Sequence, residues 1–234
     1  MLFRVWSGTL HRPTKDLDLL GHGDSSPEAV AATIRQLITT VVADDGMTFD
    51  PSTIDSQNIR EDQEYDGVRV LLTAYLGNAR IPMQIDIGFG DAVTPEAEIK
   101  PYPTLLDSDA PILRMYPPVT VVAEKVEAAV TLGMANSRMK DYYDLFVLLR
   151  DYDLKEENLT EAIVATFRRR QTMIPEDVPI GFSESFSKDK HVNLRWTEFI
   201  RRMNIDDAPS DFTDVINKIQ PRICRALLRA HTID

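Results

Sequence analysis

The segment from Asp16 to Leu19 alternates acidic and leucine residues, and this alternation constrains the fold more than any other stretch of the sequence. Side chains of a β-strand point alternately to its two faces. Asp16 and Asp18 therefore share one face of a predicted strand over residues 16–20, whereas Leu17 and Leu19 point to the opposite face, into a core. Two carboxylates placed in this way form a natural site for a hard divalent cation such as Mg²⁺, which prefers oxygen ligands.

A further acidic residue, Asp86, lies in another predicted strand, 81–88. If the two strands are neighbours in one sheet, three carboxylates meet and can bind Mg²⁺, so that a nucleoside triphosphate is aligned for attack by a hydroxyl group. A structural alternative stays open, in which the first carboxylate of the pair caps a turn and the second pairs with Arg12 or Lys15.

The hydrophobic pattern changes character along the chain and predicts an α+β fold that continues into a helical half. A helix begins at Ser26 and Pro27, which are typical first residues, and runs to about Val42. Strands are predicted over 52–60, 68–76 and 81–88, and the Pro- and Asp-rich residues 91–117 are predicted to form a linker or winding connection. We predict an α+β domain of mixed sheet and helices over residues 1–110 and a helical domain over 111–234, with helices at 119–132, 138–151, 157–170, 187–203 and 210–229.

The formal charge of −11 is spread unevenly, and this limits where a nucleic acid could bind. Residues 1–117 carry 9 Lys and Arg against 18 Asp and Glu, whereas residues 118–234 carry 17 against 19. A polyanion would therefore have to use local basic clusters in the second half. Each cluster alone is more typical of a solvated helix face. The clusters are Arg168–Arg170, then Lys188, Lys190 and Arg195, then Arg201 and Arg202, and finally Arg222, Arg225 and Arg229.

Other sequence features indicate a cytoplasmic protein without a membrane span. The single cysteine, Cys224, lies in an apolar-periodic helix and suits a reducing compartment. The first residues lack the pattern of a signal peptide, and no apolar run reaches 18 residues. The sequence contains neither a phosphate-binding P-loop nor a nucleophile elbow, and nothing supports a Ser or Cys nucleophile.

Lys125 interrupts the apolar surface of the predicted helix 119–132. A cation within so apolar a surface needs a partner or a ligand, because burying it alone is costly. The functional interpretation is a contact with a triphosphate. The structural interpretations, which the pattern supports equally, are snorkelling to solvent or an ion pair with Asp141 or Asp144 of the next helix.

The start of that next helix, 138–151, is crowded with charge. Arg138, Lys140, Asp141 and Asp144 lie within seven positions of one another, beside an apolar core face. The simple alternative to a functional site is a surface salt bridge between Lys140 and Asp144, which are spaced i,i+4 and would gain a few tenths of a kcal/mol.

These motifs occur in a fixed order: His11–Gly21, Arg60–Asp62, Gln84–Asp91, Glu124–Lys125 and Asn136–Leu145. In combination they resemble the AbiEii nucleotidyltransferase family, whose members are toxins of type IV toxin–antitoxin and phage abortive-infection systems. The resemblance covers about residues 1–150, and the helical tail is less diagnostic. It implies a DNA polymerase β-like nucleotidyltransferase fold, Mg²⁺ and a nucleoside triphosphate, and an antitoxin as a protein partner.

Related toxins add nucleotides to the 3′ acceptor end of tRNA, which blocks aminoacylation and translation. Carried over to this sequence, Asp16 and Asp18 match the metal-binding pair, Lys125 the motif lysine and Asp141 the late acidic residue, and Asp86 takes the third-carboxylate position. We predict catalytic roles for these five residues. Substrate contacts are predicted at Thr14, Lys15, Arg138, Lys140 and Asp144.

The sequence departs from the family pattern at its start. The first family motif includes a Lys and a Gly-Gly or Gly-Ser turn, whose backbone N–H groups hold triphosphate, and Met1-Leu2-Phe3 lies beyond that position. A misassigned start codon, a truncated chain and loss of activity each explain this departure. We expect the 234 residues as given to bind triphosphate weakly. The competing hypothesis is a non-catalytic protein of the same fold that binds an antitoxin or a nucleotide.

Overall fold

In the 234-residue chain, the computed structural model describes residues 2–8, 11–14, 16–59, 67–104 and 109–233. The chain forms two compact units, which we call the sheet unit, Thr14–Asp91, and the helical unit, which joins Met1–Pro13 to Ala92–Asp234. This division differs from the predicted boundary after residue 110, because the first helix and the chain from Ala92 onward pack with the helices.

The architecture is mixed α+β, as predicted, with a four-stranded mixed sheet and helices. The strands are β1 (Asp16–Gly21), β2 (Met47–Asn58), β3 (Gly67–Leu76), β4 (Ala79–Phe89), β5 (Glu98–Pro101) and β6 (Ile112–Met115). The helices are α1 (Phe3–Ser7), α2 (Pro27–Ile38), α3 (Pro118–Leu132), α4 (Met139–Asp151), α5 (Glu156–Arg169), α6 (Glu184–Ser187), α7 (Lys190–Met203) and α8 (Phe212–Ile233), and single 3₁₀ turns lie at Gly133–Ala135 and Ile180–Phe182.

The sheet unit is built on strand order β1-β4-β3-β2, with β1 parallel to β4 and the other pairs antiparallel. A turn joins β3 to β4, and Gly77 takes a positive φ of 57° there, which a residue without Cβ adopts at no steric cost. Helix α2 starts at the Ser26 cap and packs its apolar stripe on one face of the sheet. The buried core of this unit consists of Val30, Ile34, Val68, Val70, Leu72, Ile85 and Ile87.

The helical unit holds the larger core, which is rich in aromatic side chains. Tyr142 of α4 lies at its centre and meets Phe182, Phe186 and Phe212 at ring-centroid distances of 6.0, 5.6 and 5.1 Å. Burying each large apolar side chain stabilises a fold by about 1.5–3 kcal/mol, so this cluster fixes where α4 lies in the unit.

Two predicted elements end or break earlier than the periodicity suggests. Helix α2 stops at Ile38, and the hydroxyl groups of Thr39 and Thr40 donate to backbone carbonyls of its last turn. Val41, which lies within the predicted helix, is 96% exposed. The predicted helix 187–203 is two helices, because the Asp189 carboxylate accepts from two N–H groups and caps a new helix, α7.

Strands also occur where a linker was predicted. Within residues 91–117, β5 and β6 pair antiparallel as a separate two-stranded sheet. The short length of these strands and their Pro-rich surroundings conceal them from a periodicity argument, since four residues give too few alternations. Among the helices of the described residues, none combines the length and apolar character that crossing a membrane requires.

Candidate functional site

The polar face of the sheet unit carries the predicted metal-binding carboxylates. Strands β1 and β4 are neighbours, and their register places Asp18 beside Asp86 and Asp16 beside Gln84. Residues at matching positions of neighbouring strands point to the same face, so the three carboxylates lie on one face of the sheet. The condition set by the sequence, that the two strands be adjacent, is therefore met.

The opposite face of β1 is only partly covered. Leu17 packs against the core of the sheet unit, as the alternation predicts. Leu19, which was also predicted to face a core, is 43% exposed. The reason is that β1 is an edge strand of this sheet, while α2 packs mainly against β2 and β3.

Asp86 is held by a bidentate ion pair across the sheet. Arg69 of β3 donates from Nε and Nη2 to the two carboxylate oxygens, each at 2.8 Å, and Gln84 Nε2 donates to the same carboxylate at 3.1 Å. Such fork-like pairs are among the stronger charge-assisted hydrogen bonds. A role for Asp86 as third metal ligand would require this pair to rearrange, and that role stays a prediction.

Asp16 and Asp18 differ from Asp86, because within the part of the chain that the structure describes neither makes an ion pair. The alternative partner Arg12 bonds to Asp144 instead, and Lys15 lies outside the described residues. The hydroxyl group of Thr14 donates to the backbone carbonyl of Asp16 at 3.3 Å.

The donor chemistry of this pair fits Mg²⁺, which commonly binds through one or two carboxylates together with water and substrate phosphates. Over the described ranges, however, no group of three or more His, Cys, Asp and Glu side chains lies close enough to hold a metal ion. A Mg²⁺ ion held by Asp16 and Asp18 would need its remaining ligands from water and substrate oxygens, and this site stays a prediction.

A second cluster lies in the helical unit, around Lys125 of α3. Its Nζ atom lies 2.6 Å from Asp141 Oδ1 and 3.0 Å from Asp144 Oδ2, both on α4. The Lys125 side chain is only 16% exposed, and both carboxylates are buried. The ion pair that the sequence left open for Lys125 is thus present, and it uses both candidate partners at once.

Two arginines complete this cluster, which we call the charge network. Arg12 donates from Nε and Nη2 to the two oxygens of Asp144, each at 2.7 Å. Arg138 lies with Nε 2.8 Å from Asp141 Oδ2. The charges therefore alternate in space in the order Arg12, Asp144, Lys125, Asp141 and Arg138, and they sum to +1.

Within the charge network, the pKa values of Lys125 and Asp141 are shifted. Burial alone would lower the pKa of Lys125, but the charges and hydrogen bonds of Asp141 and Asp144 outweigh burial and raise it above its usual value. Burial alone would raise the pKa of Asp141, but Lys125 and Arg138 outweigh it and lower that pKa. Lys125 and Asp141 are consequently both charged at neutral pH.

The lowered pKa of Asp141 leads to a stability prediction. A carboxyl group whose pKa is lower in the folded than in the unfolded chain stabilises the fold above its unfolded pKa, about 3.9 for Asp. That contribution is lost as the pH falls through the folded pKa. We therefore expect the free energy of unfolding to fall as the pH drops below about 4, and to fall less steeply in Asp141→Asn. Urea denaturation between pH 3 and 7 measures both slopes, and equal slopes would contradict the assignment.

The remaining predicted residues divide between exposed and buried positions. Arg138 is bonded to Asp141, yet its side chain is 42% exposed. Lys140 is exposed and makes no ion pair with any described residue. The predicted alternative of a surface bridge between Lys140 and Asp144 is wrong, because Asp144 is buried against Arg12 and Lys125.

Sequence reasoning missed the two arginines that fix the carboxylates, Arg69 and Arg12. Arg69 stands between Val68 and Val70 in a strand pattern, so a correct register would have placed it beside Asp86. No local signal identifies Arg12 as a partner, since 132 positions separate it from Asp144.

Comparison with known proteins supplies the context of these sites. The family model described as "Nucleotidyl transferase AbiEii toxin, Type IV TA system" matches residues 1–218. No protein with a curated description matches the chain.

Two solved structures from Helicobacter pylori are similar to this chain. The crystal structure of an H. pylori protein assigned as a nucleotidyltransferase is 12% identical, with a TM-score of 0.52 over 100% of this chain and 87% of that one. JHP933 from Helicobacter pylori is 13% identical, with a TM-score of 0.49 over 100% and 82%. At this identity the first likeness shows the fold alone.

Proposed function

Because the chain belongs to the AbiEii nucleotidyltransferase toxin family, we propose that it transfers nucleotides from a nucleoside triphosphate to the 3′ end of tRNA and so blocks translation. The observation that supports this proposal most is the pair Asp16 and Asp18, which lie on the polar face of the sheet without an ion-pair partner among the described residues. Two such carboxylates repel one another, and a cation relieves that repulsion. A pair kept only for stability would be expected to face basic side chains.

In this proposal Asp16 and Asp18 hold Mg²⁺, with Asp86 in the third-ligand position. When bound, the metal neutralises triphosphate charge and stabilises the departing pyrophosphate. The chain itself supplies orientation, because β1 and β4 fix the carboxylates on one face. Asp86 acts as a ligand in this proposal only when its bidentate pair with Arg69 opens. Thr14 and Lys15, which precede the pair, are proposed to contact the substrate.

The helical unit contributes the charge network. We assign Lys125 to the triphosphate and Asp141 to catalysis, as the family resemblance implies. The exposed part of Arg138, together with Lys140, is available to substrate, whereas Asp144 has both oxygens engaged by Arg12 and Lys125. In this proposal Asp144 therefore positions Lys125 rather than touching substrate directly. The oxygens of Asp141 are likewise engaged, by Lys125 and Arg138, so its catalytic role requires one of these two partners to turn to the substrate.

The proposal also includes a cellular location, the cytoplasm, and a protein partner, an antitoxin. A reaction on tRNA that stops translation occurs in the cytoplasm. The family description as a type IV toxin–antitoxin system implies that a cognate antitoxin opposes this protein in the cell.

A transfer assay tests the proposal. Purified protein is incubated with total tRNA or with ribosomal RNA, with one labelled nucleoside triphosphate at a time, in Mg²⁺ or in excess EDTA. We expect label in the tRNA band only when Mg²⁺ is present, and reduced aminoacylation of that tRNA. Label found only in ribosomal RNA would contradict the proposal that tRNA is the acceptor. Undiminished label in EDTA would contradict the proposal that transfer depends on Mg²⁺. Nucleotide binding without transfer would support the competing non-catalytic hypothesis.

A further inference from the structure

The predicted basic clusters differ in whether their side chains bond within the helical unit or are exposed to solvent without such bonds. Arg222 donates to backbone carbonyls, including that of Leu149 at 3.2 Å, and Arg225 and Arg229 both pair with Glu156. Arg170 is bonded to a buried glutamate at 2.7 Å. Arg222 and Arg170 therefore serve the packing of the helical unit, whereas Arg225 and Arg229 share the single carboxylate of Glu156 and are still partly exposed.

Helix α7 differs from these clusters. Lys190, Arg201 and Arg202 are exposed and, within the described ranges, their side chains make no hydrogen bond or ion pair. The buried side of the helix consists of Val192, Trp196 and Phe199. The exposed side therefore presents Lys190 at the start of the helix and Arg201 with Arg202 at its end, and Arg195 lies on one flank between them.

The length of this exposed side suits an extended polyanion. A rise of 1.5 Å per residue places Lys190 and Arg201 about 16 Å apart along the helix axis. Because each residue turns the helix by about 100°, eleven positions bring the two side chains to nearly the same angle around that axis. A nucleic-acid strand rises about 3.4 Å per nucleotide, so several phosphates can lie against the stripe. The exposed Leu194 and Thr197 lie between Lys190 and Arg201, and Glu198 is the acidic residue of this side among the described residues.

The exposed side of α7 also lies near the charge network, which belongs to the same unit. Arg195 of α7 donates to the backbone carbonyl of Asn136 at 3.4 Å, and the Asn136 side chain accepts from the N–H group of Arg138 at 2.9 Å. Arg138 in turn bonds to Asp141. A strand bound along α7 thus lies beside the residues to which the proposed function assigns catalysis.

We propose that the exposed side of α7, carried by Lys190, Arg201 and Arg202, is the surface that binds the RNA acceptor through its phosphates. This inference rests on the proposed function for the choice of RNA. The main structural alternative is that Arg201 and Arg202 only stabilise the C-terminal end of α7, where cations interact favourably with the helix dipole.

RNA binding without nucleotide tests this surface separately from transfer. The parent protein carries Asp16→Asn/Asp18→Asn, and its affinity for deacylated total tRNA is measured at a series of NaCl concentrations. The α7 variant adds Lys190→Glu/Arg201→Glu/Arg202→Glu. The matched control adds Arg35→Glu/Arg80→Glu/Lys155→Glu, which changes the net charge equally at exposed positions elsewhere. Thermal melting of all three proteins reports whether each is folded, and Gln replaces Glu at the α7 sites if the first variant is not.

We expect the α7 variant to bind tRNA at least about tenfold more weakly than the control. Its plot of log K against log salt should be flatter by about 2, since each lost single-strand phosphate contact contributes about 0.7. Equal affinities of variant and control would overturn the proposal, as would a parent that does not bind tRNA. An equal loss of affinity for tRNA and for polyglutamate would overturn the assignment to RNA. Normal tRNA binding without transfer would leave this surface in place and contradict the proposed function instead.

Discussion

Replacing Asp16 and Asp18 together by asparagine is expected to abolish nucleotide transfer while leaving the fold intact. Charge stabilisation at a metal-bound phosphoryl group is worth several kcal/mol, and each 1.4 kcal/mol is about tenfold in rate, so we expect a loss of about 1,000-fold or more. Stability should be unchanged or slightly higher, because two like charges on one face of an edge strand are removed. Initial rates of label transfer and thermal melting measure the two effects.

A matched control strengthens that test. Asp44→Asn/Asp45→Asn removes the same charge from an exposed loop of the sheet unit, where asparagine can still accept the turn hydrogen bonds made by both residues. This control should transfer nucleotide at the rate of the unaltered protein. Equal rates for the control and for Asp16→Asn/Asp18→Asn would remove the two carboxylates from the mechanism.

The second large effect is on stability and concerns Asp144. Its carboxylate is 3% exposed and is bonded to both Arg12 and Lys125. Removing one partner of a buried ion pair leaves the other charge uncompensated and typically costs about 3–5 kcal/mol. We expect Asp144→Asn to lower the free energy of unfolding by about 3 kcal/mol in urea denaturation, near the lower end because asparagine still accepts a hydrogen bond.

A double-mutant cycle separates this pair from general damage to the core. The double variant Arg12→Met/Asp144→Asn should lose less free energy of unfolding than the two single variants lose together, by about 1–3 kcal/mol. Asp151→Asn, in the partly exposed pair with Arg150, should cost only about 0–1 kcal/mol. Additive losses in the cycle would show that Arg12 and Asp144 are not coupled, and the charge network would then be misassigned.

Local sequence patterns predicted the strands of the sheet unit but not the order in which these strands pair. Alternation around Asp16 and Asp18 predicted β1, and the separate strand pattern around Asp86 predicted β4. Their adjacency could only be stated as a condition, because strand order is not encoded by any local period. The pairing of Arg69 with Asp86 was missed for the same reason, since it follows from the register of β3 against β4.

In the helical unit, the sequence predicted that Lys125 needs a partner, but it did not predict all members of the charge network. An apolar helix surface around Lys125 required an opposite charge or ligand, and the next helix offered Asp141 and Asp144. Arg12 could not be found, because its ion pair with Asp144 closes a loop of 132 residues. The break before α7 was missed because the Asp189 cap competes with an apolar period that continues across it.

The mass of the tRNA 3′ end tests the central claim most directly. Protein in excess over one purified, deacylated tRNA is incubated with Mg²⁺ and nucleoside triphosphates, so that even slow turnover gives product. The 3′-terminal fragment released by a ribonuclease is then weighed by mass spectrometry. We predict that its mass rises by one or more whole nucleotides with the unaltered protein and not with Asp16→Asn/Asp18→Asn. An unchanged mass with the unaltered protein, while the same tRNA is shown to be bound, would contradict the account.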